Sequence, residues 1–338
     1  MNLLILTNNP HRASFRQRVG IHLDTLRANH VDSEVVQLPP GFLARQKLFR
    51  RAADFDGILL HKKRLNAIDV LSLRRYGRKV IYDFDDAVMY SDRNPERYSR
   101  SRFVRFRKVV KLADVVIAGN SYLAEHAGRF NSNVEILPTG LDVKAYQTHN
   151  VAKNDGKIRL VWIGSQSTLK YLAEIKPALE EIGARFDNVV LRIICDKFFS
   201  LHNMEVEKQQ WSEKTQVSDL SGCDIGLAPL PDNPFTRGKC GFKILQYAAA
   251  GLPVIASPVG VNAQYVSNGI TGFHAANIPQ WIERMASLIE NEQLRKNMSL
   301  ETRRPIERFD ISVIGKRLLD TIKNCIDQNV HSKPVEGP

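Results

Sequence analysis

Short apolar runs rich in β-branched residues alternate with longer amphipathic stretches along the first half of the chain. The amphipathic stretches, such as 14–29 and 98–112, are typical of helices. Strands separated by crossover helices predict a parallel, doubly wound sheet. The predicted strands of this half are 2–7, 34–38, 57–61, 79–84, 115–119 and 135–137.

The second half repeats this pattern after a polar stretch at 148–156, which we interpret as an interdomain linker. Its predicted strands are 158–163, 189–195, 224–230, 253–257 and 271–274, and its predicted helices are 169–182, 239–250, 278–290 and 292–303. The fold class is therefore α/β, with two Rossmann-like domains of doubly wound parallel sheets. We expect the domains to face one another across a cleft, because ligands of open α/β sheets bind at the carboxyl ends of the strands.

The predicted domain limits are 1–150 for the first domain and 151–308 for the second. We expect residues 309–328 to form a C-terminal helix that packs back on the first domain, and residues 329–338 to be a disordered tail. A length of 338 residues suits two such domains.

Composition and charge narrow the class of protein. The chain is 43% hydrophobic and 25% charged, as in soluble globular proteins. The four cysteines form no C-x-x-C pair, and no apolar run is long enough to cross a bilayer, so we expect free thiols and a cytoplasmic location. Of the net charge of +12, residues 1–150 carry +10, and such an excess attracts phosphate groups.

The stretch 224–257 carries the clearest candidate chemistry. It predicts a strand, a polar loop, a helix over 239–250 and a second strand. Lys239, Lys243 and Gln246 would share one face of that helix, and Arg237 precedes it. Cations at the first turns of a helix add to its dipole and favour a diphosphate. The alternative is a solvated basic helix face.

This stretch resembles the nucleotide-sugar-binding signature of the glycosyl transferases group 1 family, in the branch with Gly-Lys-Cys-x-Phe-Lys-x-Leu-Gln-Tyr. Further segments resemble the same family in order along the chain. They are Ala-Asp-Val-Val-Ile-Ala-Gly-Asn-Ser from 113, Leu-Pro-Thr-Gly-Leu-Asp from 137, Trp-Ile-Gly-Ser-Gln-Ser-Thr from 162 and Pro-Val-Ile-Ala-Ser-Pro-Val-Gly from 253.

The resemblance implies a GT-B fold and a retaining, hexosyl- or related glycosyltransferase that uses a nucleotide-diphosphate-sugar. No cofactor is expected, because the nucleotide sugar is a substrate. Residues predicted to bind the donor are Gly164, Ser165, Arg237, Lys239, Lys243, Gln246, Gly260 and Asn262. Lys243, Lys239 and Asp85 are the catalytic candidates, since positive groups stabilise the charge that develops on a departing diphosphate.

The sequence departs from the family where two glutamates commonly stand seven residues apart, the positions of Gly238 and Gln246 here. Gln264 replaces another frequent glutamate, and Ser165 replaces a frequent arginine. Gln246 can still bond ribose hydroxyls, but without a charge. These departures leave the donor sugar open, and they also leave room for an inactive homologue.

Candidates on the acceptor side follow the first-half strands. Asp83, Asp85 and Asp86 end one predicted strand, and Arg16 and Arg18 follow the first. The carboxylates suit hydroxyl groups of a sugar, a divalent metal or, for Asp86, a helix cap. No metal is expected, because GT-B enzymes resemble metal-independent catalysts. Each arginine could meet phosphates or simply be an exposed helix residue.

Two basic segments, 42–51 and 100–111, carry apolar residues among their charges and suit an anionic membrane surface. The alternative for Phe103, Phe106 and Val110 is a place in the domain core.

The function predicted from these residues and from the resemblance is sugar transfer to a glycan or lipid-linked acceptor in cell-surface polysaccharide or glycolipid synthesis. We expect it to take place in the cytoplasm or peripherally on the inner face of the membrane. The rivals are a nucleotide-sugar epimerase of the same fold and a non-catalytic basic homologue that binds nucleic acid or membrane. No nucleic acid is expected, since no nucleic-acid motif is present.

Overall fold

The computed structural model describes residues 1–147 and 155–327. These residues form two compact units. The first contains Met1–Gly140, Asn233–Cys240 and the chain from Ile311 onward, and the second contains Leu141–Asp232 and Gly241–Asp310. The predicted linker at 148–156 lies outside the described residues except for its last two, and the predicted tail at 329–338 lies wholly outside them.

A six-stranded parallel sheet forms the centre of the first unit, with strand order β2-β1-β3-β4-β5-β6. The order turns back after β1, so the sheet is doubly wound as predicted. Apolar side chains fill both of its faces, which is why the central strands lack a polar alternation. The strands are β1 Asn2–Thr7, β2 Asp32–Gln37, β3 Gly57–His61, β4 Val80–Phe84, β5 Val115–Ala118 and β6 Val134–Ile136.

Helices cover both faces of this sheet. One core cluster buries Phe49, Leu73 and Phe106 against the sheet, and the other buries Phe15 and Leu26 on the opposite face. Phe106 and Val110 are thus core residues, and Phe103 packs partly buried against the same cluster. The helices are α1 Ala13–Arg18, α2 Leu23–Ala28, α3 Phe42–Arg51, α4 Ala67–Tyr76, α5 Arg100–Leu112 and α6 Ser121–Gly128.

The second unit has its own six-stranded parallel sheet, with order β12-β11-β10-β7-β8-β9. Its strands are β7 Ile158–Ile163, β8 Val189–Cys195, β9 Glu205–Gln210, β10 Ile225–Ala228, β11 Val254–Ala256 and β12 Gly272–His274. The sequence did not predict β9. Only Val206 is apolar in this edge strand, so it has almost no hydrophobic pattern.

The helices of the second unit are α7 Val143–Gln147, α8 Leu169–Glu174, α9 Lys176–Arg185, α10 Gln216–Leu220, α11 Phe242–Ala249, α12 Asn262–Tyr265, α13 Ile278–Glu290 and α14 Glu292–Arg303. The predicted helix 169–182 is therefore two helices. Ile175 lies between them, and Pro177 stands in the first turn of α9, where its missing N–H is harmless.

The last described helix, α15 Ile311–Asp327, belongs to the first unit. Ile314, Leu318 and Ile322 are buried against Leu3 and Ile5 of β1. The chain thus passes from the first unit to the second near residue 140 and returns to the first near residue 310, whereas the predicted domain limits were 150 and 308. The four cysteines are free and buried, and among the described residues no helix is long and apolar enough to cross a bilayer.

Candidate functional site

A cluster of four charged side chains lies at the carboxyl edge of the first sheet. Lys62 directly follows β3, and Asp85 and Asp86 directly follow β4, the strand paired with β3. The Lys62 ammonium lies 2.8 Å from Asp85 Oδ1 and also bonds Asp86. Lys62 has a φ of 55°, a left-handed conformation that is rare for a lysine and that marks a constrained position.

Lys239 completes this cluster from the segment Asn233–Cys240. Its ammonium donates to Asp86 Oδ1 at 3.0 Å and lies 4.6 Å from the centre of the Phe235 ring. The backbone of the segment is also fixed, because Asn120 donates to the Lys239 carbonyl at 3.1 Å. The Cys240 thiol donates to the Asp85 carbonyl at 3.1 Å.

These contacts favour the ionised forms of Asp86 and Lys62. Burial alone would raise the pKa of Asp86, but Lys239 and Lys62 outweigh it and hold that pKa well below its usual range. Burial would likewise lower the pKa of Lys62, and the charges of Asp85 and Asp86 more than reverse this. Two cations thus face two anions, and the carboxylates keep acceptor oxygens that suit sugar hydroxyls.

The position of Lys239 corrects the predicted helix over 239–250. α11 begins at Phe242, after Gly241 with a φ of 64°, so Lys239 and Lys243 do not share a helix face. Lys239 is extended and follows a short 3₁₀ helix, Thr236–Gly238, that contains exposed Arg237. In this structure Lys239 neutralises Asp86, whereas the sequence interpretation assigned it to a diphosphate.

Arg18 and Asp83, both predicted on the acceptor side, are buried together in the core of the first unit. The guanidinium holds the carboxylate at 2.8 and 3.0 Å and also donates to the Leu137 carbonyl. Their side chains are 2% exposed. We therefore assign this pair a structural role, and direct contact with a ligand is not supported. Arg16 donates to the His11 carbonyl at 2.8 Å.

In the second unit, Lys243 lies beside the loop that follows β7. Its ammonium is 4.1 Å from the centre of the Trp162 ring and 3.4 Å from Thr168 Oγ1. A Cβ on Gly164 would come within 2.7 Å of this ammonium and 2.6 Å of the indole. Glycine at 164 therefore makes room for the cation on the aromatic face, and this cation–π contact helps to fix the position of the lysine.

The backbone of this loop is partly engaged. The Gly164 N–H bonds the Ile194 carbonyl at 3.0 Å, and the Ser165 N–H bonds Thr168 Oγ1 at 3.2 Å. In this structure the N–H of Gly164 is therefore bonded to a backbone partner. Within the second unit, the Lys243 side chain brings positive charge to this loop.

The other predicted donor residues lie on neighbouring elements of the second unit. Gln246 is buried on α11 and donates to the Tyr146 hydroxyl at 3.0 Å and to Gln216 at 3.3 Å. Gly260 has a φ of 56°, and buried Asn262 begins α12. The amide nitrogen of Gln246 is thus committed to protein partners.

The structure brings together Asp85, Asp86 and Lys239 in one unit, and Lys243 with Gly164 and Ser165 in the other. Sequence reasoning missed Lys62. The one available signal was a lysine directly after an apolar strand that neighbours the strand with the acidic end. Among the described residues, no group of three or more His, Cys, Asp or Glu side chains could hold a metal ion.

Comparisons with a family model and with solved structures show which proteins the chain is similar to. The family model described as Glycosyl transferases group 1 matches residues 126–291. A structure of HepE from Anabaena in complex with UDP and glucose is 16% identical, with a TM-score of 0.72 over 96% of this chain and 100% of that one. Sucrose-phosphate synthase from Thermosynechococcus elongatus is 13% identical, with a TM-score of 0.72 over 97% and 100%.

A UDP-forming trehalose-phosphate synthase from Burkholderia xenovorans is 13% identical, with a TM-score of 0.69 over 96% of this chain and 99% of that one. No curated protein sequence matches significantly. At such identities the structural likeness establishes the fold, and the family model adds the assignment of residues 126–291. Residues 126–291 therefore match the glycosyl transferases group 1 family, and the chain has the GT-B fold.

Proposed function

We propose that this protein transfers a sugar from a nucleotide-diphosphate-sugar to a hydroxyl acceptor, with the diphosphate bound by the second unit. The observation that carries the proposal is the Lys243 ammonium held on Trp162 beside the bare backbone of Gly164. This half-buried cation lies at the carboxyl end of β7, and open α/β sheets bind their ligands at the carboxyl ends of their strands.

Lys243 would act on the leaving group. Negative charge builds up on the diphosphate as the glycosidic bond to the sugar breaks, and a preorganised ammonium lowers the free energy of that state. The ring of Trp162 helps to hold the ammonium at the carboxyl end of β7, where it can meet a phosphate group.

The acidic cluster of the first unit would serve the acceptor. Asp85 and Asp86 offer acceptor oxygens for hydroxyl groups, and Lys239 and Lys62 hold the pKa of Asp86 low, so that this carboxylate is ionised near neutral pH. Asp85, the catalytic candidate of this unit, would orient the attacking hydroxyl. The finer parts of the proposal are a retaining, hexosyl-type transfer, a glycan or lipid-linked acceptor, and a role in cell-surface polysaccharide or glycolipid synthesis.

Thermal shift with UDP, GDP, ADP and CMP, and with their sugar conjugates, tests the donor site. UDP is the first probe, because the Anabaena structure holds UDP. A ligand at about a hundred times its Kd stabilises the folded state by about 2.7 kcal/mol. We expect a shift with one nucleotide family that is lost in Lys243→Ala and kept in Lys296→Ala, an exposed lysine of the same unit.

Two results would count against this function. No shift of the wild type with any nucleotide would favour the inactive homologue that the departures at Gly238 and Gln246 left open. Conversion of the nucleotide sugar in the absence of any acceptor would favour the epimerase instead. An unchanged shift in Lys243→Ala would move the diphosphate site away from Trp162.

A further inference from the structure

Three adjacent helices, α3, α4 and α5, cover one face of the first sheet. Their inner sides are anchored by Phe49, Leu73 and Phe106, which all belong to one core cluster. Asp69 of α4 bonds Arg45 of α3 at 3.1 Å and joins the first two helices. The outer sides of these helices form one surface, which we call the α3–α5 face.

Charge on the α3–α5 face is almost entirely positive. The three helices contain 4, 2 and 6 Lys or Arg and one acidic residue, so their net charge is 12 − 1 = +11. The whole chain carries +12. The single acid, Asp69, is buried against Arg45 and does not offset the outer charge. Nearly the whole charge excess of the protein therefore lies on these three helices.

Large apolar side chains are exposed on the same helices. Leu43 of α3 is 80% exposed, and Leu71 and Ile68 of α4 are 68% and 54% exposed. Phe42 is exposed next to Leu43. Ile68 and Leu71 are three residues apart and so share one side of α4. Exposed apolar side chains on helices that also carry many cations mark a site of interaction rather than a merely solvated face.

A shallow groove of about 460 Å³ adjoins these side chains between the start of α4 and the outer side of α5. Arg100, Arg105 and Lys108 line it together with Asn66 and Ser101. Several cations and two neutral polar groups around one groove suit a phosphate headgroup.

We propose that the α3–α5 face docks on an anionic phospholipid bilayer. Leu43, Ile68 and Leu71 enter the interface between headgroups and acyl chains, and the arginines and lysines around them pair with lipid phosphates. Charge complementarity selects the anionic surface, and the exposed aliphatic side chains select a bilayer over a nucleic acid, whose backbone needs cations alone. This inference names a partner for the proposed transferase, but the binding itself requires neither donor nor turnover.

Cosedimentation of the full chain with vesicles tests the proposal. We expect binding to phosphatidylcholine vesicles that contain about a quarter phosphatidylglycerol, little binding to phosphatidylcholine alone, and release at about 0.5 M NaCl. Because each cation near such a surface contributes about fivefold, Arg100→Ala with Arg105→Ala should lower partitioning by about thirtyfold. Lys316→Ala, an exposed lysine of α15, is the matched charge control.

The apolar contribution has a closer control. Leu43→Ser with Leu71→Ser should weaken vesicle binding by about tenfold or more, since each leucine loses its transfer into the interface. Leu300→Ser should leave binding unchanged, because Leu300 is 67% exposed on α14, outside this face. All six substituted positions are on the surface, so matching melting temperatures will show that each variant is folded.

Three outcomes would overturn the proposal. Equal binding to neutral and anionic vesicles would remove the charge argument, and an equal loss in Leu300→Ser would remove the apolar one. Absence of vesicle binding together with tight duplex DNA binding, unaffected by the leucine variants, would make the face a nucleic-acid surface instead. None of these outcomes depends on nucleotide binding, so a failure here is separable from failure of the proposed transferase function.

Discussion

Lys62 combines a strained backbone with a buried charge, and substitutions can separate the two. Lys62→Met removes the ammonium and keeps a side chain at a φ of 55°. Lys62→Gly removes the ammonium and relieves the left-handed conformation, which costs an L-residue about 1–2 kcal/mol. Lys62→Arg keeps the charge. The expected order of stability is wild type, then Arg, Gly and Met.

The magnitude follows from the exposure of the cluster. Removing one partner costs about 3–5 kcal/mol in a fully buried pair and about 0–1 kcal/mol in an exposed one. Lys62 and Asp85 are 12% and 15% exposed, and Asp86 is 27% exposed. We therefore expect Lys62→Met to lose about 2–3 kcal/mol, or about 4–12 °C in the melting temperature of the first unit. Lys62→Gly should recover about 1 kcal/mol, because the entropy that glycine loses on folding offsets part of the strain relief.

The pH dependence separates the charge from simple packing. In the wild type the pKa of Asp86 is held below its unfolded value, so its stabilisation is complete above about pH 4 and is lost only at lower pH. In Lys62→Met, Asp86 keeps Lys239 but loses the other of its two cations, so its pKa lies closer to the unfolded value. The variant therefore has less stability to lose than the wild type as the pH falls below about 4.

Calorimetric scans between about pH 5 and pH 2 measure this difference, and the gap between wild type and Lys62→Met should narrow as the pH falls through this range. A gap that stays constant over this range would refute the charge argument. A Lys62→Arg variant as unstable as Lys62→Met would refute it as well, because arginine restores the positive charge. Equal stability of the Met and Gly variants would refute the argument from strain.

Three further predictions concern the first unit. Arg18→Met should lower the unfolding free energy by about 3–5 kcal/mol, because the buried carboxylate of Asp83 loses its counter-ion. The control Arg51→Met, in an exposed ion pair, should cost about 0–1 kcal/mol. Equal losses in calorimetry would contradict the buried structural role of Arg18. Burial, followed by a nearby guanidinium, lowers the pKa of His22 to about 4, so stability in urea should fall by up to about 1.4 kcal/mol per pH unit between about pH 6.5 and 4, and His22→Leu should flatten that curve. Gly238→Ala places a Cβ 2.6 Å from a neighbouring methyl group and should lower the melting temperature through a loss of about 1–3 kcal/mol, whereas Gly128→Ala, with open space around it, should show no such loss.

The fold could be predicted because both sheets are covered on their two faces. Central strands such as β5 and β10 are continuous apolar runs, and these runs stand out against amphipathic helices. The edge strand β9 has one apolar residue in six and was missed. β9 is held in the sheet by backbone hydrogen bonds to β8, and such bonds leave no pattern in the side chains.

The candidate site could be predicted only in part. Charged residues at strand ends were visible, but their partners were not, since Arg18 and Asp83 are 65 residues apart and Lys239 and Asp86 are 153 apart. The start of α11 was misplaced because Gly238 and Gly241 both suit the end of a loop. Only Gly241 takes the left-handed φ that interrupts the chain before the helix.

The same local packing explains the two departures from the family's paired glutamates. A Cβ on Gly238 would lie 2.6 Å from the Cβ of Ala87 and 2.9 Å from its backbone nitrogen, so no glutamate fits there while the loop stays on the sheet edge. Carboxylates stand instead at Asp85 and Asp86, and Asp86 bonds the residue next to Gly238. The side-chain amide of Gln246 donates to the hydroxyl of Tyr146 and to the side-chain oxygen of Gln216. A glutamate carboxylate has no N–H group, so it could not make these donations. Each departure therefore has its own compensating contact. A single reversion to glutamate would break that contact, and this loss would oppose any benefit of the added charge.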